Sequence, residues 1–360
     1  MSHLVTTLVV AFGCCAVLLV VVLLLARLTG AARARHREEQ RHALRVLLLS
    51  ALLGEPPESD TAAAELKCRT GRSWQRVEEA AFALLPKIKG HSHAALVTLL
   101  TDRGAAVRAT ARARSWSMVR RARGAYQLGA LARSESLPVL LDLLCDRHFL
   151  VRRGAVRALG ALRSPEAVRP LLDAVVADDA LARDVVAAIA RIGTPASAAL
   201  REMVQEVLVP RHQPPTPAPG APPVRRAAVA ATGLGMVGDV GASSLLVRAL
   251  RDRSHPGLAE AAADALGQLG APDAVRPLLD AVAESRPTLR LAAARALGSI
   301  SDRSAAAGLA TALEGSSHDD ARAIAAALLR LGRDGLAALE SSESPYAAEA
   351  LAVHGLRQSA

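Results

Sequence analysis

Apolar residues recur through the C-terminal two thirds of the chain at the spacing of amphipathic helices, and these helices come in pairs. In one first helix they share a face at i, i+4, i+5 and i+8: Val151, Ala155, Val156 and Leu159. After a short turn, a second apolar stretch with helical spacing begins at Val168. One such hairpin cannot cover its own apolar face, so the pattern predicts hairpins that stack on one another.

The hairpins belong to a sequence repeat. The nonamer at 167–175 recurs without change at 274–282. Equivalent anchor positions step by 31, 30, 45, 32, 31 and 31 residues: 129, 160, 190, 235, 267, 298 and 329. We expect the anchor glycines, with the turn residues after them, to end each first helix. The one long step contains the Pro-rich segment 209–223, which we predict to loop out as an insertion because Pro cannot continue a helix.

Composition favours the same fold class. Hydrophobic residues make up 51% of the chain, but aromatic residues only 2%. A core of Ala, Leu and Val suits close-packed helices, whereas sheet cores draw on aromatic and β-branched residues. The sequence therefore predicts an all-α protein, an α-solenoid formed by a superhelix of helical hairpins.

The N-terminal residues predict a membrane span. Residues 4–25 contain no charge and exceed the ~20 residues that cross a bilayer as a helix. The run is too long, and lacks the preceding basic residues, for a secretory signal peptide. Six Arg follow it between positions 27 and 45, so we expect a single-pass protein of the cell membrane, with its N-terminus outside and its C-terminal solenoid in the cytoplasm.

The predicted organisation has five parts. A short non-cytoplasmic N-terminus (1–3) precedes the transmembrane helix (4–25) and a basic juxtamembrane segment (26–59). Capping helices (60–115) then lead into the repeat solenoid (116–360).

Charge is distributed unevenly along a chain of net charge +10. Residues 102–163 contain 13 Arg and four acidic residues, whereas 258–360 contain nine Arg and 13 acidic residues. One interpretation is a solvated face. The other is a basic patch on the concave face that binds an acidic partner protein or anionic lipid: Arg120, Arg121, Arg123, Arg152, Arg153 and Arg157.

No motif predicts catalysis, a cofactor or a metal. The GxGxxG at 233–238 follows a helical stretch, not a strand, and is interpreted as a repeat turn. His91 and His93 have no acidic or Cys partner at ligand spacing and are expected in a solvated loop. The four Cys form no CxxC. Trp74 and Trp116 are interpreted as packing residues.

The repeat resembles the HEAT repeats, in particular the short bacterial kind named from phycobilin lyases. The residues that carry the resemblance are Asp146, Val151-Arg152 and Ala158-Leu159-Gly160, and also Asp102 and Val107-Arg108. The resemblance implies an Asp–Arg ladder along the stack, comprising Asp102, Arg108, Asp146 and Arg152, and a concave side lined by the helix that Val-Arg opens. The whole plan also looks like bacterial membrane-anchored HEAT proteins.

These observations favour a non-enzymatic, membrane-tethered scaffold or adaptor that binds protein on the concave face of the solenoid. Another membrane protein is a candidate partner, and so is anionic lipid. A nucleic-acid-binding HEAT-like module is an alternative, disfavoured because base readout recruits aromatic residues, which are scarce here. A protein related to the bilin lyases or isomerases is the other alternative, and it would need a pigment pocket.

Overall fold

The computed structural model describes residues 42–52, 58–208, 221–284 and 286–358. Throughout these ranges the secondary structure is helical and no strand occurs, which confirms the all-α prediction. The chain divides into two compact units, residues 1–107 and 108–360. The division falls eight residues before the predicted boundary at 115/116, and helix α5 (Ala105–Ala113) crosses it.

The first unit contains four helices among its described residues. They are α1 (42–52), α2 (Glu58–Cys68), α3 (Gly71–Leu84) and α4 (Gly90–Asp102). Trp74 is buried beneath Arg103, whose Cζ lies 4.2 Å from the centre of the indole ring. Arg103 also donates hydrogen bonds to the carbonyls of Leu66 and Arg69, so a single guanidinium ties the end of α2 to Trp74 in α3.

After the end of α5, the second unit is a stack of seven hairpins and a final helix. The first helices are α6 (Met118–Leu131), α8 (Phe149–Leu162), α10 (Ala182–Ile192), α12 (Pro222–Val237), α14 (Pro256–Leu269), α16 (Pro287–Ile300) and α18 (His318–Arg330). The second helices are α7 (Leu137–Leu144), α9 (Val168–Ala177), α11 (Ser197–Leu208), α13 (Ser243–Leu250), α15 (Val275–Val282), α17 (Ala306–Glu314) and α19 (Arg333–Glu340). Helix α20 (Pro345–Gln358) packs on α18 and α19.

One continuous aliphatic core runs through this stack. Its fully buried members are Ala, Leu, Val and Ile with a single Met, and they come from both helices of every hairpin. The second helix of one hairpin packs against the first helix of the next, as α7 does on α8 and α13 on α14. Each hairpin therefore depends on its neighbours for the burial of its apolar face.

The anchor glycines lie inside the first helices and do not end them, which corrects the prediction. At Gly160, an added Cβ would lie 2.7 Å from the Cα of Ala188, and at Gly267 it would lie 2.6 Å from the Cα of Ala296. Three further glycines make the same contact with the next first helix: Gly129, Gly235 and Gly298. The glycine is therefore required by the close approach of two helix backbones, despite its poor helix propensity.

The helices end three residues after these anchors, on a residue with positive φ. Two of these C-terminal residues are glycines, Gly238 (φ 76°) and Gly270 (φ 63°). The others are Ala132 (φ 49°), Arg163 (φ 55°) and Ser301 (φ 55°), which carry a side chain in the left-handed region. Every one of these hairpins therefore uses a left-handed cap, whichever residue occupies it.

The first helices of the second unit pack on one another more closely than the second helices do. Successive first helices are in contact along much of their length, whereas successive second helices meet at few residues. The glycine contacts shorten the stack on the side of the first helices, so it curves towards them. On this side a groove of ≈ 610 Å³ crosses α14, α16 and α18, with Asp264, Arg295 and Arg330 on its walls.

The Pro-rich insertion is shorter at its C-terminal end than predicted. Pro222 and Pro223 form the first turn of α12. Proline is tolerated there because the first-turn N–H groups have no partner within the helix, and its fixed φ suits helix entry. Residues 209–220 lie outside the described residues.

The localisation prediction is corrected. Among the residues that the structure describes, no helix is both long enough and apolar enough to cross a membrane. The predicted transmembrane helix, residues 4–25, lies outside the described residues, as do the N-terminus 1–3 and residues 26–41 and 53–57 of the juxtamembrane segment.

Candidate protein-binding face

An ion-pair ladder connects successive repeats at the N-terminal end of the second unit. In α6, the Arg121 Nε donates to the Asp146 Oδ2 at 2.6 Å, and its Nη2 donates to Oδ1 at 3.0 Å. In α8, the Arg152 Nη2 donates to the Asp178 Oδ2 at 2.5 Å, and its Nη1 donates to the backbone carbonyl of Asp146 at 2.8 Å. Each Arg therefore extends from its own helix to the turn that precedes the next first helix.

The sequence named four members of a ladder without assigning their partners, and the structure shows how those residues are placed. Asp146 and Arg152 do meet, but through the Asp146 carbonyl, and the carboxylate partner of Arg152 is Asp178, which sequence reasoning missed. Asp102 is exposed at the end of α4, in the first unit, and Arg108 lies in α5, in the second. The ladder recurs near the C-terminus, where Arg290 in α16 pairs with the buried Asp320 at 3.1 Å.

The hydrogen bonds of the ladder set the acidity of its carboxyl groups. Burial alone would raise the pKa of Asp146, but hydrogen bonds from the Arg121 guanidinium and the His148 N–H hold that pKa below its ordinary value. The pKa of Asp178 is also lowered, chiefly by its hydrogen bond from Arg152. Both side chains are therefore ionised and paired at neutral pH.

At one turn in the middle of the stack, the carboxylate pairs with a histidine of the same turn. The turn before α14 contains Asp252, whose Oδ2 lies 2.6 Å from the Nδ1 of His255. His255 is buried, and its Nε2 has no hydrogen-bond partner within the described part of the chain. Burial would raise the pKa of Asp252, but the hydrogen bond from His255 lowers it below the ordinary value.

The six arginines of the predicted basic patch fall into three pairs. Arg121 and Arg152 belong to the ladder and are largely buried. On α8, the Nε atoms of Arg153 and Arg157 both donate to Asp184 of α10, at 2.8 and 2.9 Å. On α6, Arg120 and Arg123 are exposed. The structure thus brings the six together on two neighbouring first helices but reduces their charge with Asp184, a residue that the sequence did not single out.

Large apolar side chains are exposed beside these arginines. Val119 of α6 is 67% exposed and Leu150 of α8 is 56% exposed. They occupy equivalent positions, each ten residues before its anchor glycine. Tyr126 of α6 is 48% exposed, and burial of its ring raises the pKa of its hydroxyl. Apolar and basic groups therefore alternate on this part of the concave face.

The two tryptophans behave differently. Trp74 is a packing residue, as predicted, but Trp116 is 85% exposed, so the same interpretation is wrong there. The loop that presents Trp116 is nevertheless held in place, because the Arg121 Nη1 donates to its carbonyl at 2.8 Å and to the Ser115 carbonyl at 3.1 Å. One ladder arginine thus fixes the backbone of an exposed aromatic residue.

The remaining motifs have structural roles. Gly233 and Gly235 lie inside α12, where they contact Leu200 and Ala265, so the first two glycines of GxGxxG serve helix packing. Gly238 caps the helix in the turn, where the repeat-turn interpretation placed the motif. His91 and His93 lie in the first turn of α4 and not in a loop. In the ranges that the structure describes, no group of three or more His, Cys, Asp or Glu side chains is arranged to hold a metal ion.

These features define a class of protein. The HEAT-repeat family matches the chain at residues 112–191, 220–290 and 246–330, together more than half of its length. The protein belongs to the HEAT-repeat family. The match agrees with the repeat frame and places both ladder and anchor glycines within HEAT units.

The solved structures that match the chain are distant from it. The complex of CpcE and CpcF of phycocyanin lyase from Nostoc sp. PCC7120 is 23% identical, covers 68% of this chain and 92% of that chain, and has a TM-score of 0.33. Human deoxyhypusine hydroxylase is 19% identical, with coverage of 83% and 98% and a TM-score of 0.31. Importin beta is 11% identical, with coverage of 85% and 46% and a TM-score of 0.47.

No curated protein matches the chain. These matches do not show the bacterial, membrane-anchored type of HEAT protein that the sequence analysis expected.

Proposed function

We propose that the protein is a protein-interaction scaffold whose concave, first-helix face binds a partner protein. A HEAT solenoid presents an extended concave surface of the kind that binds partners. The observation that carries the proposal is the exposure of Val119, Leu150 and Tyr126 next to arginines on α6 and α8.

The composition of this face supports protein as the partner. Tyr, Trp and Arg are the residues that most often dominate the binding energy of protein interfaces. Exposed Val and Leu have no complementary group on a phosphate backbone, and the ladder and Asp184 occupy four of the six patch arginines. These features favour protein over nucleic acid.

The proposal predicts that binding depends on the concave face and not on the convex one. Arg157 and Arg276 are a matched pair, because both are exposed, one on the first helix α8 and the other on the second helix α15. Arg157→Glu leaves Asp184 paired with Arg153, so the fold is expected to tolerate it.

The test is quantitative affinity purification of the full chain from the cells that naturally produce it. We expect a partner that is enriched with the unmodified chain and with Arg276→Glu, but lost with Arg157→Glu. A chain that enriches no protein, or one whose partners are lost equally with both variants, would refute the proposed function.

A further inference from the structure

The most exposed aromatic residue in the described part of the chain lies where the charge is most one-sided. Helices α5, α6 and α8, with the loop 114–117, contain nine Arg and no Asp or Glu. The loop contains Trp116, 85% exposed in a protein with only two Trp. An indole left in water at this position contributes nothing to the core, whereas a buried Trp typically dominates a protein interface.

Trp116 is also preorganised for contact. The Arg121 guanidinium bonds its carbonyl and that of Ser115, while Asp146 holds the same guanidinium through two hydrogen bonds. The loop backbone is therefore anchored to the ladder before any partner arrives. A fixed anchor loses less conformational freedom on binding than a mobile one, which increases the affinity it can contribute.

We infer that Trp116, Val119, Tyr126 and Leu150 anchor an acidic amphipathic helix of the partner protein. This inference rests on the proposed function and names the chemistry of the partner. Asp146, Asp178 and Asp184 pair with four of the nine arginines, so this surface keeps an excess of positive charge that favours an acidic partner. The exposed apolar side chains call for an apolar stripe on the same partner segment. The described residues offer no strand edge, so an extended segment could not add to a sheet, whereas an amphipathic helix can lay its apolar face on exposed apolar side chains.

The dimensions agree with a helical occupant. Val119 and Leu150 lie at equivalent positions on adjacent helices, and adjacent helix axes are ~8–10 Å apart. Two apolar residues seven positions apart on a partner helix are separated by ~10.5 Å along its axis. A partner helix laid across α6 and α8 can therefore contact both side chains while its carboxylates meet Arg120, Arg123 and Arg153.

The two tryptophans provide a direct assay. Trp74 is 7% exposed and Trp116 is 85% exposed, so acrylamide should quench the fluorescence of the full chain in two components, of which Trp116 is the accessible one. Trp116→Phe identifies that component by removing it. Trp74 serves as the internal control, since its fluorescence should not respond to a ligand bound at Trp116.

Four probes separate the possibilities. The first is a synthetic helical peptide with Leu at i, i+3, i+4 and i+7 and Glu on its other face. The second has the same composition in scrambled order, the third has Lys in place of Glu, and the fourth is duplex DNA. We expect only the first to protect Trp116 from acrylamide, with an affinity that falls as salt rises.

Variants then test the anchor itself. Trp116→Ala is expected to weaken binding of the acidic amphipathic peptide, measured by anisotropy of a labelled peptide, about tenfold or more. Trp116→Phe should stay within about threefold of the unmodified chain, because it keeps an apolar ring.

Protection of Trp116 by the Lys peptide or by DNA as strong as that by the Glu peptide overturns the inference, and so does protection by none of the probes. Neither result affects the proposed function, which fails only if the concave face recruits no protein from cells.

Discussion

Substitution of Gly267 by Ala tests the close packing that curves the solenoid. The new Cβ would lie 2.6 Å from the Cα and 2.9 Å from the Cβ of Ala296, whereas carbon atoms in favourable contact are ~3.5–4.0 Å apart. The atoms that obstruct it belong to the backbone and to a side chain without rotamers, so neither can turn away. Helices α14 and α16 must therefore separate by about 1 Å.

Two opposing effects decide how much Gly267→Ala changes the free energy of unfolding. Overpacking of a close-packed core costs ~1–3 kcal/mol. Ala in place of Gly in a helix interior contributes up to ~1 kcal/mol of stability. We expect the clash to dominate, giving a net loss of about 1–2 kcal/mol in the free energy of unfolding and a Tm lower by about 2–8 °C.

The matched control is Gly257→Ala on the same helix. Gly257 lies in the first turn of α14, and no atom lies within 4 Å of its added Cβ. This variant gains helix propensity without a clash and should be as stable as the unmodified chain or up to ~1 kcal/mol more stable. Urea unfolding followed by circular dichroism at 222 nm measures both variants. Equal stability of Gly267→Ala and Gly257→Ala would refute the reasoning.

Three further substitutions have predicted effects on the stability of the fold. Arg163→Gly should raise the free energy of unfolding by roughly 0.5–1 kcal/mol in the same urea assay, since Gly relieves the left-handed φ of 55°; a loss of stability would contradict this. Asp146 has a folded-state pKa below its unfolded value, so its contribution is present above ~pH 4 and is lost as pH falls through the folded pKa. Asp146→Asn should therefore destabilise the chain at pH 7 and flatten the dependence of Tm on pH below 4; an unchanged acid profile would exclude the ladder as its cause. Asp264 makes the opposite contribution to stability. Burial raises its pKa, so its ionisation destabilises the fold as pH rises through that pKa. Asp264→Asn should raise the Tm at pH 7 more than at pH 3, and a larger rise at pH 3 would contradict the burial argument.

The repeat frame was predictable because each unit buries its apolar face with the same types of residue at the same positions. The identical nonamers became the junction and second helix of two hairpins, at α9 and α15. The Ala-Leu-Gly triplet marked the first helices correctly, since Leu159 and its equivalents fill the core. The role of the glycine was not predictable, because a helix-ending Gly and a close-packing Gly have the same local sequence.

The candidate site was predictable only in part, because its character depends on contacts between repeats. The pairing of Arg152 with Asp178 joins residues 26 positions apart and requires the spacing of stacked helices. The pairing of Asp184 with Arg153 and Arg157, which reduces the charge of the patch, also requires the spacing of stacked helices. Trp116 is exposed because it lies in a loop. The amphipathic pattern of its neighbours on α6 was the sequence signal that could have indicated an exposed apolar stripe there.

The most direct test of the account is site-specific photocrosslinking from the two layers of the solenoid. A benzophenone amino acid replaces Tyr126 on the first-helix layer or Asp280 on the second-helix layer of the full chain, in the cells that produce it. Binding on the concave face predicts a discrete protein adduct from position 126 and none from position 280. Adducts of equal yield from both positions, or an adduct from position 280 alone, would contradict it.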